Sequence, residues 1–226
     1  MIIDTGVGNH KVRPPARMHM LNTLALQWLA AAGAEPDAVT HVLITHLHSD
    51  HIGWNTSLEG RRWAPTFPNA RYLVPRADYD YFKEINDSGK ASDTSFADSL
   101  APIFDAGLAT FVDKSSELPG GLEPAEAFGH TPGQMNYWLR SQGEVGVFSA
   151  DVFHHPVQIL NPTWNTAFCI LPDQAISTRA HVLADATASG ALIMSCHFPA
   201  PHAGYARKTG DAYCFEPAQP GSPIAT

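Results

Sequence analysis

The chain has 226 residues, of which 44% are hydrophobic and 16% are charged, and it carries a formal net charge of −8 at pH 7. This charge argues against a nucleic-acid partner, which requires a basic surface, and the lack of an apolar run of about eighteen residues argues against a membrane span. The composition predicts one folded domain over residues 1–216 and a frayed tail, rich in Pro, Gly and Ser, over residues 217–226.

The first half of the chain predicts helices and strands in alternation. A helix is expected over residues 18–32, because Leu21, Leu24 and Trp28 recur there at amphipathic spacing. Gly33 follows it as a C-terminal cap, and the apolar run at residues 41–44 predicts a buried strand. A strand is then expected over residues 70–74, and residues 76–83 start a helix. A mobile polar loop over residues 86–93 leads to a short helix over residues 96–104 and a strand over residues 109–112.

The second half predicts a hairpin, a long helix and a closing group of strands. Residues 134–139 and 145–149 are expected to pair across a turn at residues 141–143. A helix over residues 173–188 should end at Gly190. A strand over residues 191–195 and one or two edge strands within residues 204–215 complete the chain.

Four possible metal ligands, His46, His48, Asp50 and His51, lie within six residues directly after the strand at 41–44. Side chains alternate along a strand, so His46 and His48 should leave on the same side and hold one cation, while Asp50 and His51 suit a second. Imidazole and carboxylate ligands without thiolate favour zinc first, and manganese, iron or cobalt next. The chain has twelve histidines, but chance would produce this pattern in only ~10⁻³ of such chains.

The pattern His46-x-His48-x-Asp50-His51 resembles the signature of the metallo-β-lactamase fold superfamily, whose members are mostly dinuclear metal hydrolases. Four further segments resemble motifs of that superfamily in the same order, at residues 2–6, 129–133, 148–151 and 196–199. The resemblance implies an α/β fold, a four-layer αβ/βα sandwich. Residues 151–158 and 197–201 look most like the branch that holds methyl parathion hydrolase and N-acyl homoserine lactonase relatives.

The chain departs from the superfamily pattern at its start. Members place several strands before the Asp-Thr-Gly turn, which begins here at residue 4, so about fifty residues of the first half-sheet are expected to be absent. An incomplete half-sheet exposes an unpaired edge, which favours a homo-oligomer.

The resemblance also implies two divalent metal ions held by seven side chains. His46, His48 and His130 would bind the first ion; Asp50, His51 and His197 would bind the second; Asp151 would bridge both. Three alternatives stay open. His130 could be an ordinary turn residue, Asp151 could cap a turn or helix, and His202 could take the place of His197.

The three cysteines, Cys169, Cys196 and Cys214, have apolar surroundings and are odd in number, which predicts buried, reduced thiols. Neighbouring strand residues face opposite sides, so Cys196 should face away from the metals if His197 faces them. The reduced thiols and the lack of a signal peptide at residues 1–4 predict a cytoplasmic protein.

The predicted chemistry needs no serine or cysteine nucleophile. Two cations lower the pKa of a bridging water, and the resulting hydroxide attacks an electrophilic carbonyl or phosphoryl centre. Asp50 would pass the proton to the leaving oxygen. His154 stands where the related lactonases carry a tyrosine that contacts the substrate oxygen, and it can donate a similar hydrogen bond. Aromatic candidates for pocket walls, which core packing would explain equally well, are Trp54, Phe67, Phe153 and Trp164.

These features favour a dinuclear metal-dependent hydrolase of a small-molecule lactone or carboxylic ester. A phosphotriesterase acting on organophosphates would use the same metals with a more open aromatic pocket. A β-lactamase is disfavoured, because those enzymes usually lack an aspartate at the position of Asp151. The remaining alternative is a domain that binds metal but is catalytically inactive because its first strands are missing.

Overall fold

The computed structural model describes residues 1–219, and its contacts divide the chain into two compact units, Met1–Val112 and Asp113–Thr226. Each unit has its own sheet and its own apolar core. The prediction of a single domain over residues 1–216 stays a prediction. Most of the predicted frayed tail lies outside the described residues, and Pro217 ends the last strand.

The first unit contains a sheet of four parallel strands in the order β1-β2-β5-β6, formed by Ile2–Ile3, His41–Leu43, Arg71–Pro75 and Ala109–Val112. Val42 pairs with Ile2 on one side and with Tyr72 on the other. A separate hairpin consists of β3 and β4, Thr56–Glu59 and Arg62–Pro65. The helices are α1, α2 and α3, Ala25–Ala31, Arg76–Asp87 and Ala101–Asp105, the last preceded by a π-helical turn over Phe96–Leu100.

The core of the first unit follows from the parallel strands. A parallel sheet is covered on both faces, so its strands are continuous apolar runs rather than alternating ones. Val42, Tyr72 and Val74 are accordingly inaccessible to solvent, and they pack with Leu100 and Ile103 from the helical segment that follows α2. The strands predicted at residues 41–44, 70–74 and 109–112 are confirmed.

The helix predicted over residues 18–32 is wrong in its first half, because only Ala25–Ala31 is helical. Residues 19–24 instead lie alongside residues 9–11: the His10 N–H donates to Leu21 O at 2.9 Å, and the Met20 N–H donates to Lys11 O at 2.8 Å. The predicted buried face is therefore not formed. Leu24 and Trp28 are 55% and 67% exposed, and α1 packs on the core through Leu26 and Leu29.

Lys11, Arg13 and Asp98 form a buried cluster of charged side chains in the first unit, which the sequence did not indicate. Arg13 donates to both carboxylate oxygens of Asp98, at 2.7 and 2.8 Å, and Lys11 donates to Thr56 Oγ1 at 2.6 Å and to Asp98 O at 2.9 Å. Lys11 Nζ also lies 3.5 Å from the centre of the Trp63 ring. Burial lowers the pKa of Lys11 to about 8, although the charge of Asp98 opposes that shift.

The second unit contains a six-stranded sheet in the order β12-β11-β10-β9-β8-β7. In chain order β7 to β12 are Leu122–Glu126, Met135–Ser141, Glu144–Phe148, Leu192–Met194, Ala203–Thr209 and Ala212–Pro217. All neighbours are antiparallel except β9 and β10, which run parallel. The crossover between these two contains α4 and α5, Val157–Leu160 and Pro172–Ser189.

Local sequence explains most of the second unit. The β8–β9 hairpin turns through Gln142 and Gly143, both with positive φ, as a two-residue hairpin loop requires. The predicted hairpin is confirmed, as are the long helix ending at Gly190 and the closing strands. The core consists of apolar side chains from the sheet and α5, including Val147, Leu183 and Ile193.

No helix within residues 1–219 is long and apolar enough to cross a membrane.

We expect Lys11→Met to change how stability depends on pH. The folded pKa of about 8 lies below the unfolded value of 10.5, so the unfolded state binds an extra proton between these values, and the free energy of unfolding rises with pH there. The wild type should gain about 2–3 kcal/mol relative to Lys11→Met between pH 8 and pH 10.5. Urea unfolding across this range, with the exposed Lys90→Met as control, measures the difference. Parallel pH profiles for all three proteins would contradict it.

Candidate metal centre

In the first unit, the ligand-rich loop after β2 is held from two directions. The side chain of Asp4, at the end of β1, accepts hydrogen bonds from Thr45 N and Thr45 Oγ1, both at 2.7 Å. Asp78 on α2 is fully buried and accepts a hydrogen bond from the Leu47 N–H at 2.9 Å. Two carboxylates therefore hold the backbone around the two predicted histidine ligands, His46 and His48.

The imidazoles of this loop form a compact group. The rings of His46 and His48 are 4.9 Å apart, and those of His46 and His51 are 4.0 Å apart. His46 and His48 each offer a possible ligand atom, and these two atoms lie within 4.8 Å of each other. The side chain of Asp50 is 31% exposed, and its Oδ2 lies 4.0 Å from His51 Nε2.

Asp4 also orients His51, a role that the sequence reasoning missed. Asp4 Oδ2 lies 2.7 Å from His51 Nδ1, so the opposite ring nitrogen, Nε2, points away from Asp4. A carboxylate on the second nitrogen of a ligating histidine fixes its tautomer and direction. The contact between Asp4 and His51 could have been predicted from a parallel pairing of β1 with β2, because the carboxyl ends of parallel strands meet at one edge of a sheet.

In the second unit, Asp151 and His197 also lie together because they follow two neighbouring parallel strands. Asp151 lies just after β9 and His197 just after β10, and these neighbouring strands are parallel. The backbone ties the two strand ends together, because Ser149 N donates to Met194 O at 2.9 Å and Ser195 Oγ donates to Phe153 O at 2.7 Å.

The carboxylate of Asp151 is 4% exposed and lies among four ligand-type side chains. Its Oδ2 is 3.1 Å from Nε2 of both His130 and His154. Its Oδ1 is 3.2 Å from His197 Nε2 and 3.4 Å from Cys196 Sγ. The rings of His154 and His197 are stacked, 5.4 Å apart and 5° from parallel.

His130 is carried by a loop packed against the start of α5. Gly129 has φ +135°, and a Cβ there would lie 2.3 Å from Ala175 N, so this approach requires glycine. The backbone carbonyls of Gly129 and His130 accept hydrogen bonds from Leu171 and Ile170, each at 2.9 Å. The Nε2 of His130 lies 3.1 Å from Asp151 Oδ2, and a role for His130 as a metal ligand stays a prediction.

Two further alternatives can be compared with the geometry. Asp151 lies inside the short 3-10 turn Ala150–Val152, and Ser149 occupies the N-cap position of that turn. Nδ1 of His202, the rival of His197, lies 2.6 Å from the backbone oxygen of Phe198 within its own turn. His197 is therefore the better placed of the two relative to Asp151.

The prediction for the cysteines is wrong in two respects. Cys196 and Cys214 are exposed and Cys169 is half-buried, although none of the three forms a disulfide within residues 1–219. Cys196 does not face away from His197, because both side chains approach the same oxygen of Asp151.

The aromatic residues considered as pocket walls differ in burial. Phe67 and Phe153 are core residues, 2% and 0% exposed, whereas Trp164 is 57% exposed and Trp54 is half-buried.

The seven predicted ligands thus lie in two groups, four in the first unit and three in the second. Each group offers imidazole nitrogen and carboxylate oxygen, which suit zinc and related divalent ions. In the second unit, the two oxygens of one carboxylate each face at least one imidazole nitrogen at 3.1 or 3.2 Å. The residues therefore fit a divalent metal ion.

A family model described as the metallo-beta-lactamase superfamily matches residues 1–207, and the chain belongs to this superfamily. The resemblance in its motifs and the mixed α/β fold class are both confirmed. Family and structural neighbours indicate a metal-dependent hydrolase. No sequence match to a curated protein was found.

Among solved structures, the chain is similar to hydrolase AbOPH of the beta lactamase superfamily, with 26% identity and a TM-score of 0.81 over 96% of this chain and 75% of that one. It is also similar to AidC, described as a dizinc quorum-quenching lactonase, with 23% identity and a TM-score of 0.77 over 96% and 75%. A probable metal-dependent hydrolase from Staphylococcus aureus has 23% identity and a TM-score of 0.79 over 96% and 78%.

We expect Asp4→Asn to weaken metal binding without unfolding the chain. Asp4 has φ 55°, which asparagine tolerates, but the amide cannot match the carboxylate contact with His51. Zinc affinity should fall about 10- to 100-fold, as measured by competition with a chromophoric chelator. The exposed Asp185→Asn on α5 is the matched control. Unchanged affinity in Asp4→Asn would show that His51 does not depend on Asp4 for its orientation.

Proposed function

We propose that the protein is a dinuclear metal-dependent hydrolase that cleaves a lactone or a carboxylic ester, with two zinc ions as its resident metals. The observation that supports this most directly is the Asp151 carboxylate, which has imidazole nitrogens close to both of its oxygens. The proposed metal ligands are His46, His48, Asp50, His51, His130, Asp151 and His197.

The ligand groups suit this role chemically. Bound divalent ions supply Lewis acidity and water with a pKa near neutrality. The chain contributes rigid histidines: His46 and His51 are 0% and 2% exposed, and hydrogen bonds from Asp4 and Asp78 fix the loop that carries them. Rigid ligands hold the reacting groups in place and reduce the reorganisation needed in the transition state.

Asp50 is the proposed proton carrier. Its side chain is partly exposed, unlike that of Asp151, so it can exchange protons with a substrate or with solvent. In the proposed reaction, Asp50 accepts the proton of the attacking water and delivers it to the leaving alkoxide oxygen. This transfer opens a lactone or releases an alcohol from an ester.

His154 is the proposed substrate contact. Its side chain is 12% exposed, and its Nε2 lies 3.1 Å from Asp151 Oδ2. Within residues 1–219, neither ring nitrogen is aligned for a hydrogen bond. An N–H donor here can bind the substrate carbonyl oxygen as negative charge develops on it. A positioned donor of this kind contributes about 10²–10³ in rate.

A phosphotriesterase is the second candidate, supported by exposed aromatic side chains in the second unit. Trp164 and Phe168 are 57% and 60% exposed, and the Phe168 ring lies 6.5 Å from that of His154. Apolar surface of this kind could receive the aryl leaving group of an organophosphate or the apolar part of an ester.

We expect two zinc ions per chain in the loaded protein and at most one in Asp151→Ala. Removing the shared carboxylate should also reduce hydrolysis by at least about 100-fold, because it sets the metal positions. Elemental analysis and circular dichroism measure metal content and folding, with Asp185→Ala as the control. Full metal content and full activity in Asp151→Ala would make Asp151 a simple turn residue.

We expect aryl esters and simple lactones to be hydrolysed faster than β-lactams, phosphodiesters and phosphotriesters. His154→Ala should lower kcat for the best ester by roughly 100-fold while both metal ions stay bound, because the donor contacts substrate and not metal. The exposed His181→Ala serves as the control. If phosphotriesters are the best substrates in a side-by-side panel, the second candidate replaces the first; if penicillins are, the protein is a β-lactamase.

A further inference from the structure

Cys196 and His197 place two different ligand atoms against one oxygen of Asp151. Cys196 Sγ lies 3.4 Å and His197 Nε2 lies 3.2 Å from Asp151 Oδ1. The thiol, imidazole and carboxylate ligand atoms of these three residues all lie within 4.8 Å of one another. The seven-ligand set described above leaves this thiol without a role.

The backbone after β10 explains why consecutive side chains reach the same oxygen. The strand ends at Met194, and residues 195–198 form a turn in which the Phe198 N–H donates to Ser195 O at 3.3 Å. Ser195 Oγ anchors the turn by donating to Phe153 O at 2.7 Å. A turn does not follow the alternation of a strand, so Cys196 and His197 can share one side.

The separations match those of atoms that bind one metal ion. Ligands at about 2.0–2.3 Å from a tetrahedral zinc ion are about 3.4–3.6 Å apart from one another. The measured 3.2 and 3.4 Å are close to these values. Among the described residues of the second unit, the imidazoles of His130 and His154 face the other oxygen of Asp151, Oδ2, so the thiol shares Oδ1 with His197.

We propose that Cys196 is an eighth metal ligand, binding as a thiolate the same ion as His197 and Oδ1 of Asp151. This inference rests on the proposed metal centre but not on its substrate. The thiol proton is released to solvent when the ion binds. A thiolate is a soft ligand, so it should favour zinc or cobalt over manganese at this position and make the bound ion sensitive to thiol-reactive reagents.

The test uses cobalt(II), whose bond to a thiolate gives a near-ultraviolet charge-transfer band. Metal-depleted protein is titrated with Co²⁺ alone. The wild type should develop the band together with the visible bands of bound cobalt, and Cys196→Ser should keep the visible bands and lose the charge-transfer band. Cys214→Ser, which changes an exposed thiol on β12, should retain both.

The outcomes separate this inference from the proposed function. Visible bands without a charge-transfer band in the wild type would overturn the role of Cys196 and leave the metal centre intact. Failure to bind Co²⁺ at all would overturn the metal centre itself. A charge-transfer band that survives in Cys196→Ser but disappears in Cys169→Ser would assign the thiolate to Cys169, whose Sγ lies 3.8 Å from His130 Nδ1, and would refute Cys196.

Alkylation provides a second measurement that does not depend on spectra or activity. Zinc should slow the reaction of Cys196 with iodoacetamide by about tenfold or more, because a metal-bound thiolate is a poorer nucleophile than a free one. Cys214 is exposed as well and should react at the same rate with and without zinc. Equal labelling of Cys196 in the two states, measured by peptide mass spectrometry, would contradict the proposal.

Discussion

The burial of one carboxylate constrains the second unit more than any other contact. Asp151 is 4% exposed, and a charge removed from water in this way requires partners at close range. The fold supplies them from three parts of the chain: a loop before the β8–β9 hairpin, the turn after β9 and the turn after β10. Arg179 on α5 supports the second of these parts, because its buried guanidinium donates to the carbonyls of Val152, Pro162 and Trp164. The helix α5 therefore holds the segment that follows β9 in position through a buried cation.

Sequence reasoning succeeds where the structure is decided by residues close together in the chain. The β8–β9 hairpin needs a two-residue turn with positive φ, and Gly143 in the sequence indicates such a turn. The strand β5 is a continuous apolar run, which a parallel sheet requires. The predicted histidine ligands of the first unit, His46, His48 and His51, likewise belong to one segment of six residues, so their spacing alone indicated a shared role. In each case the information lies within about ten residues, which is the range over which local patterns are informative.

The predictions that were wrong or missed depend on contacts between residues far apart in the chain. The helix predicted over residues 18–32 loses its first half because residues 19–24 bond to residues 9–11, a pairing that no helical periodicity reveals. Asp4 acts on His51 from 47 residues away, and Cys196 joins the Asp151 group because the chain turns directly after β10, where the prediction assumed that strand alternation continued. The sequence showed which residue types were present, but distant backbone contacts decide which of them meet.

The buried charges of the first unit have a consequence for how the chain is made. Arg13 and Lys11 complete their bonds with Asp98, 85 and 87 residues later, and Thr5 bonds to Asn55, 50 residues later. Contacts between such distant residues require a large loss of chain entropy before they stabilise anything, so they form late and slow the folding of a domain. During synthesis, Lys11 and Arg13 leave the ribosome well before Asp98, which follows only after most of the unit has emerged. The segment that carries these two cations therefore lacks its native partner until late in translation, and its docking on Asp98 completes the unit.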